Sequence, residues 1–320
     1  MPLKRFKRVV VNSPPVKTVI DTSRETYLPG LSGFSLFEIS KALRQQLRKT
    51  SLLERAAAIS YNIVMAIPPT LVFVFTLIPY LPISNHFIQE LYTLVRDIVP
   101  GKENNTAIIQ FLDDFLKQPR NGLLSLGLLL ALFFSSNAMM GILRSFDKDY
   151  EGFEKRKSLK KRQTALLLTI VSFVLFFIFL LLLIAQGAVL HWIGIKSYVL
   201  RAIIVNARWV IILLLMFFTI SIIYRHGPPV SKKWGVITPG SVFATSLMLL
   251  ATFLFSYWVE NFSNYNKLYG SISTIFILMT LIFVNALVVL MGFELNVALS
   301  NLKRQKEQAS LATAIKEGGH

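Results

Sequence analysis

The sequence predicts an all-α fold, a six-helix transmembrane bundle with a small extracytoplasmic helical cap and an amphipathic N-terminal helix. Hydrophobic residues make up 53% of the 320 residues and charged residues only 16%, whereas a soluble domain carries roughly 25% charged residues. Six apolar runs follow one another along the chain. The last of them, Leu268–Phe293, has no charged residue, and a helix rising about 1.5 Å per residue crosses roughly 30 Å of hydrocarbon within that length.

The segment before the first apolar run divides into two parts. Residues 1–33 are basic and contain several Pro and Gly residues, which predicts a flexible cytoplasmic tail. Ser35 and Glu38 have the spacing of a capping box, so a helix is expected over 34–50. Its apolar residues fall roughly on one face. Two placements stay open for this helix, on the inner leaflet or packed against the membrane domain.

The first span is predicted at about 56–81. Ser51 and Glu54 have the spacing of a second capping box, and the stretch that follows is uncharged through the whole span. Pro68 and Pro69 stand in its middle. Because proline lacks the backbone donor and clashes with the preceding turn, the helix is expected to kink or break there.

The next segment, 84–120, does not have the pattern of a span. Apolar residues recur at helical spacing on either side of Pro100-Gly101, with acidic and basic residues interspersed. Two short amphipathic helices are therefore expected, and they would form a small cap outside the membrane.

The remaining spans complete a membrane domain over 51–300, followed by a cytoplasmic C-terminal tail over 301–320. The fourth span is short, because only sixteen residues separate Arg208 from Arg225, about 24 Å of helix. Either Arg208 snorkels to the interface, or the helix begins earlier and buries it. Spans two to six are expected at about 121–143, 164–190, 203–224, 235–259 and 269–293.

The distribution of basic residues predicts the orientation. Six crossings place both termini on one side, and 26 of the 34 Lys and Arg residues fall on that side. The positive-inside rule therefore places both termini in the cytoplasm. The net charge of +17 follows from this topology, so no nucleic-acid partner is needed to explain it.

Polar residues concentrate in the predicted inner half of the spans. A polar group in hydrocarbon needs a partner or water, which suggests an inward-open vestibule. The alternative is that the Ser and Thr side chains hydrogen-bond their own helices and pack helix against helix, whereas for Asn137, Asn285 and Glu294 function or specific packing is expected. Arg208 and Glu294 are the ionisable residues in or near the membrane, and a direct pair between them is not expected. The substrate-path candidates are Ser60, Tyr61, Asn62, Asn137, Arg208, Asn285 and Glu294.

Several kinds of chemistry are poorly supported. The chain has no Cys, which removes disulfides, thiolate nucleophiles and Cys metal sites. Its four His residues are scattered over different segments, and the sequence has no H-E-x-x-H, G-x-S-x-G or Walker motif. We therefore expect no enzyme activity, no metal and no cofactor.

Short motifs around the first, fifth and sixth spans resemble the YihY/BrkB family of bacterial inner-membrane proteins. They are Ala58-Ile59-Ser60-Tyr61 before Pro68, Trp234 to Gly240, the collar Tyr265-Asn266 with Tyr269-Gly270-Ser271, and Gly292-Phe293-Glu294-Leu295-Asn296. The resemblance covers roughly residues 50–300. It implies a multi-pass protein of the bacterial inner membrane with six helices and no known cofactor. Pro69 and the basic N-terminal tail depart from the family pattern.

The resemblance also suggests functions. The family is linked to serum resistance in a pathogen and has been proposed to export envelope lipids or solutes. We therefore expect a transporter or flippase of a lipid or other anionic amphiphile, without its own ATPase. The alternative is a non-transporting scaffold for envelope assembly or virulence. The family once bore the name ribonuclease BN, but this sequence contains no cluster of metal-binding or nuclease carboxylate residues that would support that activity.

The resemblance singles out positions and partners as well. Membrane lipids are the expected partners, and nucleic acid is not. The oligomeric state is open, with a homo-oligomer among the alternatives. Gly270 and Gly292 suit close helix approach. The motif positions are Pro68, Asn266, Tyr269, Gly270, Ser271, Gly292 and Asn296. By the resemblance, the residues to test are Tyr61, Tyr269, Gly270, Ser271, Glu294 and Asn296.

Overall fold

A computed structural model gives the structure of the chain. It describes residues 14–27, 33–49, 51–80, 121–147, 156–192, 198–230, 233–261 and 271–317, and in addition residues 92, 106, 109, 110, 113 and 153. Side-chain surroundings are not described for 14–17, 19–20, 49, 180–209, 259–274 and 313–317.

The described part of the chain is helical, which confirms the predicted all-α class. Residues outside helices include two isolated bridges, Tyr27 with Ser35 and Phe153 with Val230. A 3-10 turn over Ile78–Tyr80 follows the third helix. The helices are α1 Pro14–Glu25, α2 Leu36–Lys49, α3 Leu52–Leu77, α4 Asn121–Phe146, α5 Ser158–Trp192, α6 Tyr198–His226, α7 Pro239–Asn261 and α8 Ser271–Glu317.

Five described stretches are long and apolar enough to cross a membrane, so the multi-pass prediction is confirmed in this coarser form. In α6 the stretch with described side chains, Val210–His226, is shorter than a span, and the sixth crossing stays a prediction. The predicted cap falls almost wholly outside the described residues. The five candidate spans are Leu52–Tyr80, Asn121–Phe146, Ser158–Phe179, Pro239–Trp258 and Ile275–Ala312.

Both predicted tails contain helix. The first, 1–33, contains α1, which begins with Pro14 and Pro15. Proline suits a helix start because its missing donor would have no partner there. The second, 301–320, is the continuation of α8 to Glu317. No Gly or Pro follows Phe293 within α8, and Lys, Arg, Gln, Glu and Ala in this part favour helix.

Pro68 and Pro69 do not break α3, which continues from Leu52 to Leu77. The break that the sequence analysis allowed for is therefore not observed. Thr70, the next residue, donates its hydroxyl to the Ala66 carbonyl oxygen at 2.6 Å. Such side-chain bonds, together with neighbouring helices, are what allow proline inside a transmembrane helix.

The described residues belong to two compact units. The first unit is drawn from Met1–Ala57, Phe146–Glu154 and Pro228–His320, and the second from Ala58–Ser145 and Lys155–Gly227. In the first unit α8 packs against α2 and α7. In the second unit α5 packs against α6, and aromatic rings of α5 pack against Phe73 of α3.

Candidate functional site

A buried ion pair lies in the first unit. Arg55 Nη1 donates to Glu294 Oε1 at 2.5 Å, and the exposed fractions of the two side chains are 7% and 0%. Gln46 Nε2 donates to the other carboxylate oxygen at 3.1 Å. Both oxygens of Glu294 are therefore hydrogen-bonded, as a buried carboxylate requires. We call these three residues the polar triad.

The triad brings together three helices. Gln46 is on α2, Arg55 is in the first turn of α3, and Glu294 is on α8. Every residue from Gly292 to Leu299 is buried, so this part of α8 has neighbours on all sides. A cluster of buried apolar residues joins α8 to α2 and to the residue pair that precedes α2: Phe34, Ile39, Leu295 and Leu299.

A second polar contact in the same unit joins α8 to the start of α7. Asn296 Oδ1 accepts from the Gly240 backbone N–H at 2.8 Å, and its Nδ2 donates to Thr238 Oγ1 at 3.0 Å. Thr238 and Ser241 in turn bond each other across the first turn of α7. Asn296 thus accepts from one of the backbone N–H groups that a helix N-terminus leaves without partners.

The two helices approach closely at this contact. A Cβ atom on Gly240 would lie 2.6 Å from the Asn296 side chain and would also meet the Gly292 carbonyl oxygen. Gly240 therefore has no room for a side chain, as at small-residue contacts between membrane helices. Phe293, between Gly292 and Glu294, stacks on Phe146 with ring centroids 4.0 Å apart.

A cationic side chain in the second unit is held by α4. Arg162, near the start of α5, donates from Nη1 to Asn137 Oδ1 at 2.6 Å. Its guanidinium carbon lies 5.6 Å from the centroid of the Phe133 ring, within cation–π range. Asn137 thus has a charged partner from another helix.

The second unit also contains a groove of about 310 Å³, lined by α3 and α4. The two helices run antiparallel, since Thr70 meets Ser135 at 3.4 Å and Gly127 lies against the Phe73 backbone. Apart from these two hydroxyls the groove is apolar. Its lining residues are Ile63, Ala66, Ile67, Thr70, Leu71, Ser135 and Ala138.

The predicted vestibule residues have different surroundings. Glu294 is fully buried in the triad, so the expectation that it lines a cytosol-facing cavity is wrong. Tyr61 is 59% exposed and Ser60 is buried. Asn62 and Asn285 each donate to a carbonyl four residues earlier on their own helix, the local bonding that the alternative interpretation expected of Ser and Thr.

Other predicted positions can be located only in part. Pro68 is exposed and Gly292 is buried. Asn266, Tyr269 and Gly270 lie outside the described residues, and Ser271 begins α8 with its side chain undescribed. Arg208 belongs to α6, but its side chain is likewise undescribed.

Sequence reasoning missed Arg55 and Gln46. A signal was available for Arg55. It is the last charged residue before span one, and Glu294 is the first charged residue after the apolar run of span six. The predicted topology puts both at the inner boundary, where opposite charges can pair. Nothing in the sequence distinguished Gln46 from other polar residues of α2.

The helices and the buried polar contacts define a multi-pass α-helical membrane protein. In the part of the chain that the structure describes, no group of three His, Asp or Glu residues could hold a metal ion. The family model described as virulence factor BrkB matches residues 43–315. The chain belongs to this family, which confirms the resemblance noted from its motifs.

Three relatives show the range of similarity. The putative ribonuclease-like protein YfkH of Bacillus subtilis is 27% identical over 258 residues, 79% of this chain and 92% of the relative. A UPF0761 membrane protein of Chromohalobacter salexigens is 24% identical over 284 residues, 83% of this chain and 65% of the relative. A UPF0761 membrane protein of Idiomarina loihiensis is 30% identical over 115 residues, 36% of this chain and 38% of the relative. No solved structure matches the chain.

Proposed function

We propose that this protein moves an anionic lipid or related amphiphile across the bacterial inner membrane, without hydrolysing ATP itself. The groove between α3 and α4 is the observation that carries the proposal. It is apolar apart from the Thr70 and Ser135 hydroxyls, and the two helices that line it are apolar enough to cross a membrane.

The size of the groove suits part of an acyl chain. Its volume of about 310 Å³ is at the small end of ligand sites, which span roughly 300–1,000 Å³. A whole phospholipid does not fit, so the headgroup would stay outside the groove. Pro68 and Pro69 lie between lining residues Ile67 and Thr70, and the missing backbone bonds make α3 easiest to bend there.

The proposal includes a location and an orientation. Both termini face the cytoplasm, so that most Lys and Arg residues lie on the inner face. That face would attract anionic headgroups, since each basic residue near an anionic surface contributes about 1 kcal/mol.

Reconstitution tests the proposed movement. Vesicles containing the purified protein and a fluorescent phosphatidylglycerol are treated with an impermeant quencher, and the rate at which the inner-leaflet pool becomes accessible is measured. Ser135→Phe fills the groove and is expected to slow this rate at least about fivefold by excluding the chain. Leu129→Phe on the same helix is the control, because Leu129 is 66% exposed. Equal rates in wild-type and protein-free vesicles would refute the proposal.

The polar triad favours a second candidate function. It joins α3 and α8 through a buried ion pair and α2 through the Gln46 hydrogen bond, and α8 continues to Glu317 with exposed residues from 305 to 312. A scaffold for envelope assembly would use such a fixed surface. In that case, deletion of residues 305–317 would reproduce the phenotype of cells that lack the protein. Vesicles containing the wild-type protein would show no lipid movement.

The proposal includes no catalysed reaction. The name of the Bacillus subtilis relative belongs to that protein and does not decide the question for this one. A cleavage assay of the purified chain on RNA, with and without Mg²⁺ or Mn²⁺, tests this part directly. Metal-dependent cleavage that follows the protein through purification would contradict it.

A further inference from the structure

Arg162 occupies a boundary position. It is the last charged residue before an uncharged stretch that reaches Ile195, and it lies in the second turn of α5, which begins at Ser158. Its side chain is half-buried. A cation at this point of a spanning helix lies where the hydrocarbon meets the headgroup layer.

The side chain is held in one orientation by two groups of α4. Asn137 accepts a hydrogen bond from Nη1 at 2.6 Å, and the Phe133 ring lies 5.6 Å from the guanidinium carbon. Both groups are neutral. Arginine carries several N–H donors in a planar fork, and the bond to Asn137 occupies only part of that capacity.

The charge of Arg162 has no acidic partner among the described residues. Arg24 pairs with Asp21 and Arg55 with Glu294, and Arg162 belongs to neither pair. The first turn of α5 contains no acidic residue, while Lys160 and Lys161 precede Arg162. A half-buried cation gives up hydration, and an anion is what restores the lost stabilisation.

Arg156, also a cation of the second unit, has different partners. The Arg156 guanidinium donates to the carbonyl oxygens of His226 and Gly227, at 3.3 and 3.1 Å. Those carbonyls close the C-terminal end of α6, where a cation is favoured. Arg156 therefore serves the fold. Arg162 lies near the N-terminal end of its helix, where the helix dipole disfavours a cation and favours an anion.

We propose that Arg162, oriented by Asn137 and Phe133, binds a phosphate-type anion, namely the phosphodiester headgroup of an anionic phospholipid. Asn137 and Phe133 are positioning residues. The inference deepens the proposed function, since it names the group that would recognise the headgroup. Binding at Arg162 does not itself require that the lipid be moved, so the two can fail separately.

Lipid binding to the full-length protein tests the site. Native mass spectrometry of the purified chain, titrated with phosphatidylglycerol and with phosphatidylcholine, gives the two dissociation constants. Arg162→Gln is expected to weaken phosphatidylglycerol binding about tenfold by removing charge-assisted bonds. Lys160→Gln removes the same charge from an exposed neighbour and should change the constant less than about twofold. Equal effects of the two substitutions would overturn the proposal.

Asn137→Asp separates a binding role from a structural one. It places a carboxylate beside Arg162, which keeps the interhelical contact but neutralises the cation. The fold should be as stable as wild type or more so, while phosphatidylglycerol binding falls about as far as in Arg162→Gln. Wild-type lipid affinity in Asn137→Asp would contradict the proposal, even if Arg162→Gln fails to fold.

Two further measurements distinguish a lipid headgroup from free phosphate as the bound anion, and lipid binding from lipid movement. Inorganic phosphate at millimolar concentration displaces phosphatidylglycerol if the site takes free phosphate, and leaves it bound if the site needs the whole lipid. The proposal requires the second result. If lipid binding depends on Arg162 but vesicles show no lipid movement, the proposed function alone is refuted. If Arg162→Gln changes neither lipid binding nor lipid movement, the site alone is refuted.

Discussion

Substitution of Glu294 by Gln removes one charge of the buried ion pair and keeps the side-chain shape. Arg55 is 7% exposed and Glu294 is fully buried, so the guanidinium would lose its counter-charge without gaining water. The Gln46 amide would also face a neutral amide in place of a carboxylate oxygen at 3.1 Å. The polar triad would thus keep its volume and lose its charge balance.

The expected cost follows from the burial of both partners. Removal of one partner of a buried pair costs about 3–5 kcal/mol, because an uncompensated charge stays in a medium of low polarity. For a chain of this size each kcal/mol lowers the melting temperature by about 2 °C. Glu294→Gln is therefore expected to melt about 6–10 °C below wild type.

Thermal unfolding of the protein in detergent, followed by intrinsic fluorescence, measures this difference. Glu307→Gln is the matched control, because Glu307 is on the same helix and exposed. Its melting temperature should stay within about 1 °C of wild type, as surface substitutions usually do. Glu294→Leu combined with Arg55→Met should recover at least half of the loss, since an apolar pair has no charge to compensate.

Two results would refute this reasoning. A melting temperature of Glu294→Gln within about 1 °C of wild type would show that the pair is not desolvated. The loss of stability in the Glu294→Leu, Arg55→Met double variant could also equal the sum of the losses in the two single variants. That result would show that Arg55 and Glu294 do not interact.

The other predictions concern helix contacts and topology. Gly240→Ala should destabilise the protein by about 1–3 kcal/mol, since the new Cβ would meet the Asn296 side chain and the backbone of α8. Gly122→Ala is the control, because its Cβ would meet nothing within 4 Å, and it should be neutral or stabilise the protein by up to about 1 kcal/mol. Equal melting temperatures of the two variants would contradict the close approach of α7 and α8. Asn296→Ala should cost about 1–3 kcal/mol by leaving the Gly240 N–H without its acceptor, and no change on thermal unfolding would contradict that role. Because the chain has no Cys, single cysteines at Ser13 and Ser310 report orientation, and both should react with an impermeant maleimide only after the inner membrane is opened; labelling in intact cells would overturn the N-in, C-in proposal.

The sequence was sufficient for the class and the main spans, because long uncharged runs have few other stable outcomes. The end of the last run also drew attention to Glu294. Its partner could not be found in the same way, since Arg55 is 239 residues away. Which residues of α3 and α8 face each other depends on helix rotation and depth, which apolar runs of this kind do not encode.

The predicted vestibule illustrates a different limit. Ser60, Tyr61 and Asn62 are consecutive, and a helix turns each residue about 100° from the last. All three cannot line one surface, and the structure buries Ser60 while it exposes Tyr61. Asn137 was expected to face water, but a cation from the next helix lies beside it. The position of a polar residue along a span predicts its depth in the membrane but not the direction in which its side chain points.

The groove was not predicted, because it results from how α3 and α4 pack. The central claim is that this groove takes the acyl chain of an anionic lipid. An experimental structure in nanodiscs containing phosphatidylglycerol tests that claim most directly. We expect elongated density along Ile63, Thr70 and Ser135. A groove closed by side chains, with no lipid in it, would contradict acyl-chain binding.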